Sequence, residues 1–289
     1  VQEGDGDSVR DILEHMRALG SDGDGRIFVN GRRAELDEPV EPGDTVELYP
    51  QRPLSGDVVR ILAQRDGVLL VDKPAGLPTE TTRLGEDSLV TALLSELNGG
   101  HVHAASRLDV WVSGVTLCTL GRDAAQRVQT WRDAGQIQRT YIAIAHGTLS
   151  DDAGMWDSPL GKTRDRAGRH LASTKAPELR PARTRFCVRA RTDRAVLLDL
   201  HPETGRMHQL RAHAAHAGVP FYGDRLYGGP VRLTEASGRV RAIERIALHA
   251  RNVDLPGLSA EAPIPQSLRA LWSAHGGSDL DWDPQSASA

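Results

Sequence analysis

Two segments hold the residues whose types and spacing could do chemistry. In the first, Ser106 to Val115 (SRLDVWVSGV), Arg107 stands two residues before Asp109. In the second, His201 to Gly229 (HPETGRMHQLRAHAAHAGVPFYGDRLYGG), Arg206, His208, Gln209, Arg211, His213 and His216 are followed by a Gly223-Asp224 pair. A carboxylate in one segment and guanidinium groups in the other suit a buried, ion-paired catalytic acid. Burial alone raises a carboxyl's pKa and neutralises it; a neighbouring guanidinium reverses that shift and fixes the orientation. Structural salt bridges use the same pairing, so the residues alone leave both readings open. His208, His213 and His216 are spaced by five and three, not by the four of a helical zinc-binding pair. Hydrogen bonding and packing are expected of them. A hydrolase built on Asp109 with His208 is disfavoured, because no Ser or Cys occupies a recognisable nucleophile elbow and no metal ligands cluster.

The surrounding elements must position these groups. MHQLRAHAAHAG reads as a helix starting after the Thr204-Gly205 turn and ending at Gly218, a rigid mount for Arg211. VVRILAQRDGVLLVDKPAGL reads as two strands around an Arg-Asp-Gly turn. DSLVTALLSELN is an amphipathic helix with Asp87 as N-cap candidate, and RDAAQRVQTWRDAG a second one ended by Gly135. QRTYIAIAHGTL and TRFCVRARTDRAVLLDL alternate or run apolar, as strands do. Near the start, SVRDILEHMRAL has helical spacing over residues 8–19, with Ser8 or Asp7 as cap. RIFVNGRR then reads as a strand entering an Asn-Gly turn, and EPGDTVELYP as a turn and closing strand. PQRPLSGD is a natural linker. These boundaries give a module over 1–50, a linker over 51–59, a main domain over 60–270 and a mobile tail over 271–289.

The 289 residues hold no apolar run long enough to cross a bilayer, and the opening VQEGDGD lacks the apolar core of a secretory signal. Cys118 and Cys187 lie in apolar or β-branched surroundings without metal-ligand spacing, which predicts buried free thiols and a cytoplasmic protein. Net charge is −4, unexpected for a nucleic-acid binder, but it is unevenly spread. Residues 1–50 carry a net −8, and residues 161–211 a net +8. Such a basic block supplies a local phosphate-binding field, or else a solvated arginine-rich face.

The two segments resemble the RluA-type family of RNA pseudouridine synthases. Arg107, Leu108, Asp109, Ser113 and Gly114 match its Arg-Leu-Asp motif and the Ser-Gly that follows. Thr204, Gly205, Arg206, His208, Gln209, Leu210, Arg211 and His213 match its second signature, with Gly223-Asp224 behind. VDKPAGL (Val71 to Leu77), RTYIAIAHG (Arg139 to Gly147), PARTRF (Pro181 to Phe186) and ALHA (Ala247 to Ala250) follow the family's order over about residues 60 to 268. The resemblance implies an α+β fold: a large mixed, mostly antiparallel central sheet with flanking helices, beside a small N-terminal α/β module. The Val-Asn-Gly and Pro-Gly-Asp pieces resemble an S-four-like RNA-binding module, and also the end of a β-grasp module. Asp11 and Glu14 beside Arg10 and Arg17 depart from the basic helix by which S-four-like modules bind RNA.

What the resemblance implies for chemistry is isomerisation of uridine to pseudouridine in ribosomal or transfer RNA. Asp109 would be the catalytic carboxylate, Arg211 its partner, and Tyr141 the ring that stacks on a flipped-out uracil, its hydroxyl near the proton-transfer steps. Arg107 would fill the space the base leaves. Leu248 would line the pocket floor, and Arg206, His208 and Gln209 would contact substrate. No cofactor is needed, since neither oxidation state nor outside group changes; the partner is RNA, with no nucleotide cofactor, no membrane and a monomeric enzyme expected. Ser106 stands where the family commonly has His, Val112 where it has Thr, and Trp111 follows the Asp as a large side chain. A catalytically silent RNA-binding relative acting in ribosome assembly is the competing reading.

Overall fold

The structure is a computed structural model. It describes residues 8–12, 26–30, 32–35, 37–44, 46–49, 59–81, 88–97, 100–165, 168–234 and 240–283. The chain divides into two compact units, one holding the described residues up to 49 and the other the described residues from 59 onward.

In the first unit, β1 (Arg26–Val29) is the centre of a three-stranded antiparallel sheet, flanked by β2 (Arg32–Ala34) and β3 (Val46–Tyr49). The β1–β2 turn has Asn30 at φ 51°, the left-handed conformation that Asn tolerates in tight hairpins. Residues 9–12 are helical. Ser8 caps them: its backbone N–H donates to Asp11 Oδ2 at 3.1 Å, and its Oγ lies 3.4 Å from the Asp11 N–H. The rest of the helix expected to residue 19, and most of the 51–59 linker, lie outside the described residues. Val9, Ile12, Val29, Ala34 and Val40 form a small core.

The second unit carries the candidate site. In chain order it comprises β4 (Arg60–Arg65), β5 (Val68–Lys73), α1 (Leu89–Glu96), β6 (Val102–Ala104), β7 (Ser113–Leu120), α2 (Gly121–Asp133), β8 (Gln138–His146) and β9 (Ala153–Trp156). Then come β10 (Gly161–Arg164), β11 (His170–Ser173), β12 (Thr184–Arg191), β13 (Ala195–Pro202), α3 (Gln209–His216), β14 (Arg232–Thr234) and β15 (Val240–Ala242). β16 (Leu248–Leu255), β17 (Leu258–Glu261) and α4 (Gln266–Ala274) complete it. One ten-stranded sheet runs β4-β5-β7-β16-β8-β13-β12-β9, with β17 added to β16 and β6 to β7. β7 and β16 pair parallel; the other neighbours pair antiparallel. β10–β11 is a separate hairpin.

Both faces of the sheet's middle are covered, which explains the continuous apolar runs of β8 and β13. Side chains alternate between faces along a strand. Ala143, Ala145, Val196, Leu198 and Leu200 pack with Leu210 and Ala214 of α3. Ile142, Ile144, Ala195 and Leu197 pack with Leu268, Leu271 and Trp272 of α4. The β4–β5 hairpin turns at Asp66 (φ 50°) and Gly67 (φ 76°), as the Asp-Gly pair predicts.

Three expectations are corrected. The N-cap of α1 is Ser88, whose side chain accepts from Thr91 N while Thr91 Oγ1 accepts from Ser88 N; Asp87 lies outside the described residues. The tail does not begin at 271: α4 runs to Ala274, and Trp282 is buried against the same core as Trp272. Hydropathy misjudged this stretch because its two tryptophans are separated by polar and glycine residues. Cys118 is buried and Cys187 only half-buried; both are free thiols.

Gly114 fixes how closely β7 and β16 approach. It sits at φ 111°, and a Cβ there would overlap the carbonyl of Ala250. That row continues to β8, since Ala250 is the register partner of both Gly114 and Tyr141. Gly114→Ala is expected to cost about 2–6 kcal/mol, combining left-handed strain with overpacking against backbone that cannot retreat. Gly218→Ala, at φ 80° with open space around it, is expected to cost about 1–2 kcal/mol. Urea unfolding of both variants measures the difference; equal losses would show that the close strand approach is not what Gly114 serves.

Candidate active site

Asp109 lies in the loop between β6 and β7, and buried polar groups hold that loop. Asp109 O accepts from Val112 N at 3.0 Å, closing a tight turn. Val110 O accepts from Gly76 N at 2.7 Å. Beneath it Lys73, at the end of β5, is wholly buried, and its ammonium donates to Pro74 O (2.9 Å), Leu77 O (2.8 Å) and Val110 O (3.4 Å). Backbone dipoles thus replace the water this charge has lost. Thr79 Oγ1 adds a reciprocal pair with the backbone of Leu108, donating at 3.0 Å and accepting at 3.2 Å. At the far end Ser113 Oγ accepts from Arg245 Nη2 at 2.6 Å and lies 2.7 Å from His249 Nδ1. His249 Nε2 faces Ala262 O at 3.4 Å and carries the ring hydrogen, so the Ser113 hydroxyl donates to Nδ1. His249 is neutral at ordinary pH: burial, then the Arg245 charge, pull its pKa down to about 3.

The second arm of the site is α3. Gln209, its first residue, spends its whole amide on the preceding turn and on β12. Its Oε1 accepts from Thr204 Oγ1 (2.7 Å) and Arg206 N (3.0 Å), and its Nε2 donates to Arg183 O (2.9 Å) and Thr184 Oγ1 (3.0 Å). The expected substrate contact by Gln209 is therefore corrected: no donor or acceptor is left for a ligand. One helical turn on, His213 Nδ1 lies 3.0 Å from the same Thr184 hydroxyl, and Nε2 lies 2.9 Å from Ser158 O. A carbonyl only accepts, so Nε2 carries the hydrogen and Nδ1 accepts from Thr184. Residues 209 and 213 of α3 are thus both tied to one buried hydroxyl, which fixes the helix's rotation.

That rotation aims Arg211 at Asp109. Arg211 Nη1 donates to Asp109 Oδ2 at 2.6 Å. Its Nε and Nη2 donate as a fork to Asp224 Oδ2 (2.7 Å) and Oδ1 (2.8 Å). Side-chain exposure is 7% for Arg211, 1% for Asp224 and 31% for Asp109. Burial works against the Arg211 charge, but the Asp224 hydrogen bonds and the Asp109 charge outweigh it and hold the guanidinium protonated. The Tyr227 ring lies under the guanidinium, 5.0 Å from Cζ. Asp109 Oδ1 faces His208 Nε2 at 3.8 Å.

The structure brings Asp109, Arg211 and His208 together. Tyr141 is half-buried and packs against the apolar cluster that contains Leu108 and Leu248. Burial, then the nearby Asp109 charge against an opposing Arg139, leaves its phenol pKa raised. Arg107 is exposed and pairs with Glu80 at 3.2 Å. Arg206 is exposed, its Nε donating to Pro181 O at 3.0 Å. Sequence reasoning gave no role to Asp224, Tyr227 or Lys73. The signal for Asp224 was there: the Gly-Asp pair thirteen residues after Arg211. Among the described residues, no group of three or more His, Cys, Asp or Glu side chains is arranged to hold a metal ion.

A family model described as RNA pseudouridylate synthase matches residues 67–216. The uncharacterized RNA pseudouridine synthase YhcT of Bacillus subtilis is 32% identical over 91% of this chain and 86% of its own length. The ribosomal large subunit pseudouridine synthase D of Xanthomonas campestris is 30% identical over 86% of this chain and 81% of its own. The tRNA pseudouridine synthase C of Salmonella typhimurium is 34% identical over 68% of this chain and 80% of its own. Among solved structures, human RNA pseudouridylate synthase domain containing 4 superposes with a TM-score of 0.60 at 25% identity, covering 75% of this chain and 92% of that one. The match to the family model over half the chain, with relatives aligned along most of its length, establishes that this chain belongs to the RNA pseudouridine synthase family, isomerases that act on uridine in RNA.

Proposed function

We propose that Asp109 is the reacting carboxylate and that the enzyme acts on uridines of ribosomal or transfer RNA. The observation that carries this is the 2.6 Å ion pair to Arg211, with one carboxylate oxygen fixed and the other left facing a partly open site. The reaction breaks the bond between ribose C1′ and uracil N1, turns the base, and joins C1′ to C5. Asp109 serves it either by attacking C1′ or by removing the neighbouring C2′ proton. Tyr141 offers a ring face for a flipped-out uracil, and Leu248 an apolar floor. Arg107, exposed and paired only at the surface with Glu80, would occupy the gap in the RNA stack.

Phosphate binding falls to the basic block. Lys162, Arg164 and Arg169 are exposed on the β10–β11 hairpin, and Arg180, Arg183, Arg185 and Arg206 are exposed beyond it. Arg189 and Arg211 do not contribute: their side chains are buried, paired with Asp199 and Asp224. The hairpin is tied to the site, since Tyr227 Oη accepts from Ala172 N at 2.7 Å and donates to Ala172 O at 3.2 Å. Residues 1–50 are read as a divergent S-four-like module that adds target choice rather than generic affinity. Arg10 there is already paired with Asp37 at 2.8 Å. The enzyme is taken to act without a nucleotide cofactor, because the isomerisation imports no group and changes no oxidation state, and as a monomer in the cytoplasm, the compartment its two free cysteines suit. Mapping pseudouridines in RNA from cells with and without the gene identifies the target.

Three outcomes are expected. Asp109→Asn keeps shape and hydrogen bonding but removes the charge; it should abolish tritium release from uridine transcripts labelled at C5, with RNA affinity within about a few fold. Near-native turnover would remove Asp109 from the mechanism. Arg211→Met leaves Asp224 buried and unpaired, and should lose activity together with about 3–5 kcal/mol of stability. A melting temperature unchanged from the native protein would contradict the buried-pair reading. Finally, RNA affinity should fall steeply with salt, by about 0.7 log units per log unit of salt for each phosphate neutralised on single strands. Deleting residues 1–50, which carry a net −8, should leave generic RNA binding at least as tight. Filter binding at several salt concentrations tests both, and a large loss on truncation would make the first unit a working RNA-binding module.

A further inference from the structure

We propose that His208 is a further catalytic residue: its bare Nε2 takes the proton that C5 must lose after the new carbon–carbon bond forms. The inference deepens the reading of Asp109 above and rests on it. Joining C1′ to C5 uses ring electrons of the detached uracil and leaves C5 carrying both ribose and hydrogen, with a double bond between N1 and C6. The C5–H bond then breaks. Its electron pair becomes the C5–C6 double bond, the N1–C6 pair returns to N1, and N1 takes up a proton. The proton from C5 needs an acceptor beside C1′, and therefore beside Asp109.

The groups around Asp109 narrow the choice. Arg211 is held protonated and only donates. Tyr141 has its phenol pKa raised by burial, so it keeps its own proton. Tyr227, pushed up to about 12 by burial, is also protonated, and its hydroxyl is committed to Ala172. Asp224 is buried and forked by Arg211. His208 Nε2 lies 3.8 Å from Asp109 Oδ1, the oxygen that Arg211 leaves free.

The tautomer follows from Tyr227. Its one hydrogen is given to Ala172 O, and one lone pair accepts from Ala172 N. With that hydrogen on Ala172 O, the remaining lone pair faces His208 Nδ1 at 3.2 Å, Nδ1 carries the imidazole hydrogen and Nε2 is bare. Two further observations agree. Burial, opposed by Asp109, leaves the His208 pKa below 6.5, with Arg211 lowering and Asp224 raising it; the ring is neutral at pH 7. The residue also occupies a left-handed backbone conformation, φ 49°, at the N-terminus of α3, a strain of about 1–2 kcal/mol held beside Asp109.

The sign of the pH dependence is fixed. The acceptor must be neutral, so the C5 step is lost as pH falls through the His208 pKa, below 6.5. The test uses single-turnover kinetics on unmodified large-subunit ribosomal RNA and transfer RNA transcripts made with protium or deuterium at C5. His208→Asn suits the left-handed backbone and keeps a donor for Tyr227, but has no base. It should slow product formation about 100-fold or more. It should also reveal a primary C5 isotope effect larger than the native one, with RNA affinity unchanged. His208→Gly, which also suits the backbone, should be partly rescued by added imidazole. A His208→Asn rate within a few fold of native with no new isotope effect would overturn the proposal, as would failure of imidazole to rescue folded His208→Gly. Turnover that survives Asp109→Asn would instead sink the reading of Asp109; a dead Asp109→Asn beside a native-like His208→Asn would sink only the role of His208.

Discussion

Everything in the site hangs on one guanidinium held between two carboxylates. Arg211 gives Nε and Nη2 to Asp224 as a fork and Nη1 to Asp109 as a single bond. The two contacts do different work. Asp224 is shut away from water, so the fork is structural and is complete without substrate. Asp109 is nearly one-third exposed, so its single bond orients a carboxylate that still has an oxygen to offer. A lysine would carry the same charge but only as a point; it could not present two planar edges at once. The arrangement stores a large liability, because losing Arg211 strands the buried Asp224 charge.

That liability explains how much polar scaffolding surrounds the fork. On one side, the buried Lys73 ammonium and the Thr79–Leu108 pair clamp the Asp109 loop to the end of β5. On the other, the Thr184 hydroxyl receives Gln209 and gives to His213, so α3 cannot rotate without breaking both contacts. Between them, Gly114 lets β7 and β16 close up at the row that also holds Tyr141. Each clamp is buried and hydrogen-bonded, Lys73 through a charged donor and the others through neutral ones, where low dielectric makes a satisfied hydrogen bond strong and an unsatisfied one costly.

Much of this was legible in the sequence, and for physical reasons. Hairpins announced themselves through Asp66-Gly67 and Asn30, because few residues accept a positive φ. α3 was bounded by Thr204-Gly205 and Gly218. The Asp109–Arg211 pair came from motif resemblance; 102 residues separate the two, and no local pattern spans that gap. What stayed hidden was the assignment of polar side chains to partners. Gln209 looked like a ligand contact and is a clamp, since an amide reads the same whether it faces substrate or a buried turn. Asp87 and Ser88 are both good caps by residue type, so the sequence does not choose between them; Ser88 makes the capping bonds. The packed end, with Trp272 and Trp282 ten residues apart in a polar stretch, has no periodicity to betray it.

The acidic net charge of the chain is compatible with RNA because the site separates two recognition problems. Phosphates are charged and water-exposed, so the cations that meet them belong at the rim, and Lys162, Arg164 and Arg169 are there on β10–β11. Uracil is uncharged in the substrate, so on the proposed reading the interior needs no compensating charge for it; a ring and an aliphatic floor, Tyr141 and Leu248, would suffice. The one place where the problems meet is Tyr227. Its hydroxyl holds the backbone of the basic hairpin, its ring lies under Arg211, and its remaining lone pair sets the tautomer of His208. A hairpin displaced at the rim would pull on a residue that touches the reacting groups. Under the proposed mechanism, Tyr227 is therefore the point through which RNA held by its phosphates would be registered at the carboxylate that acts on its sugar.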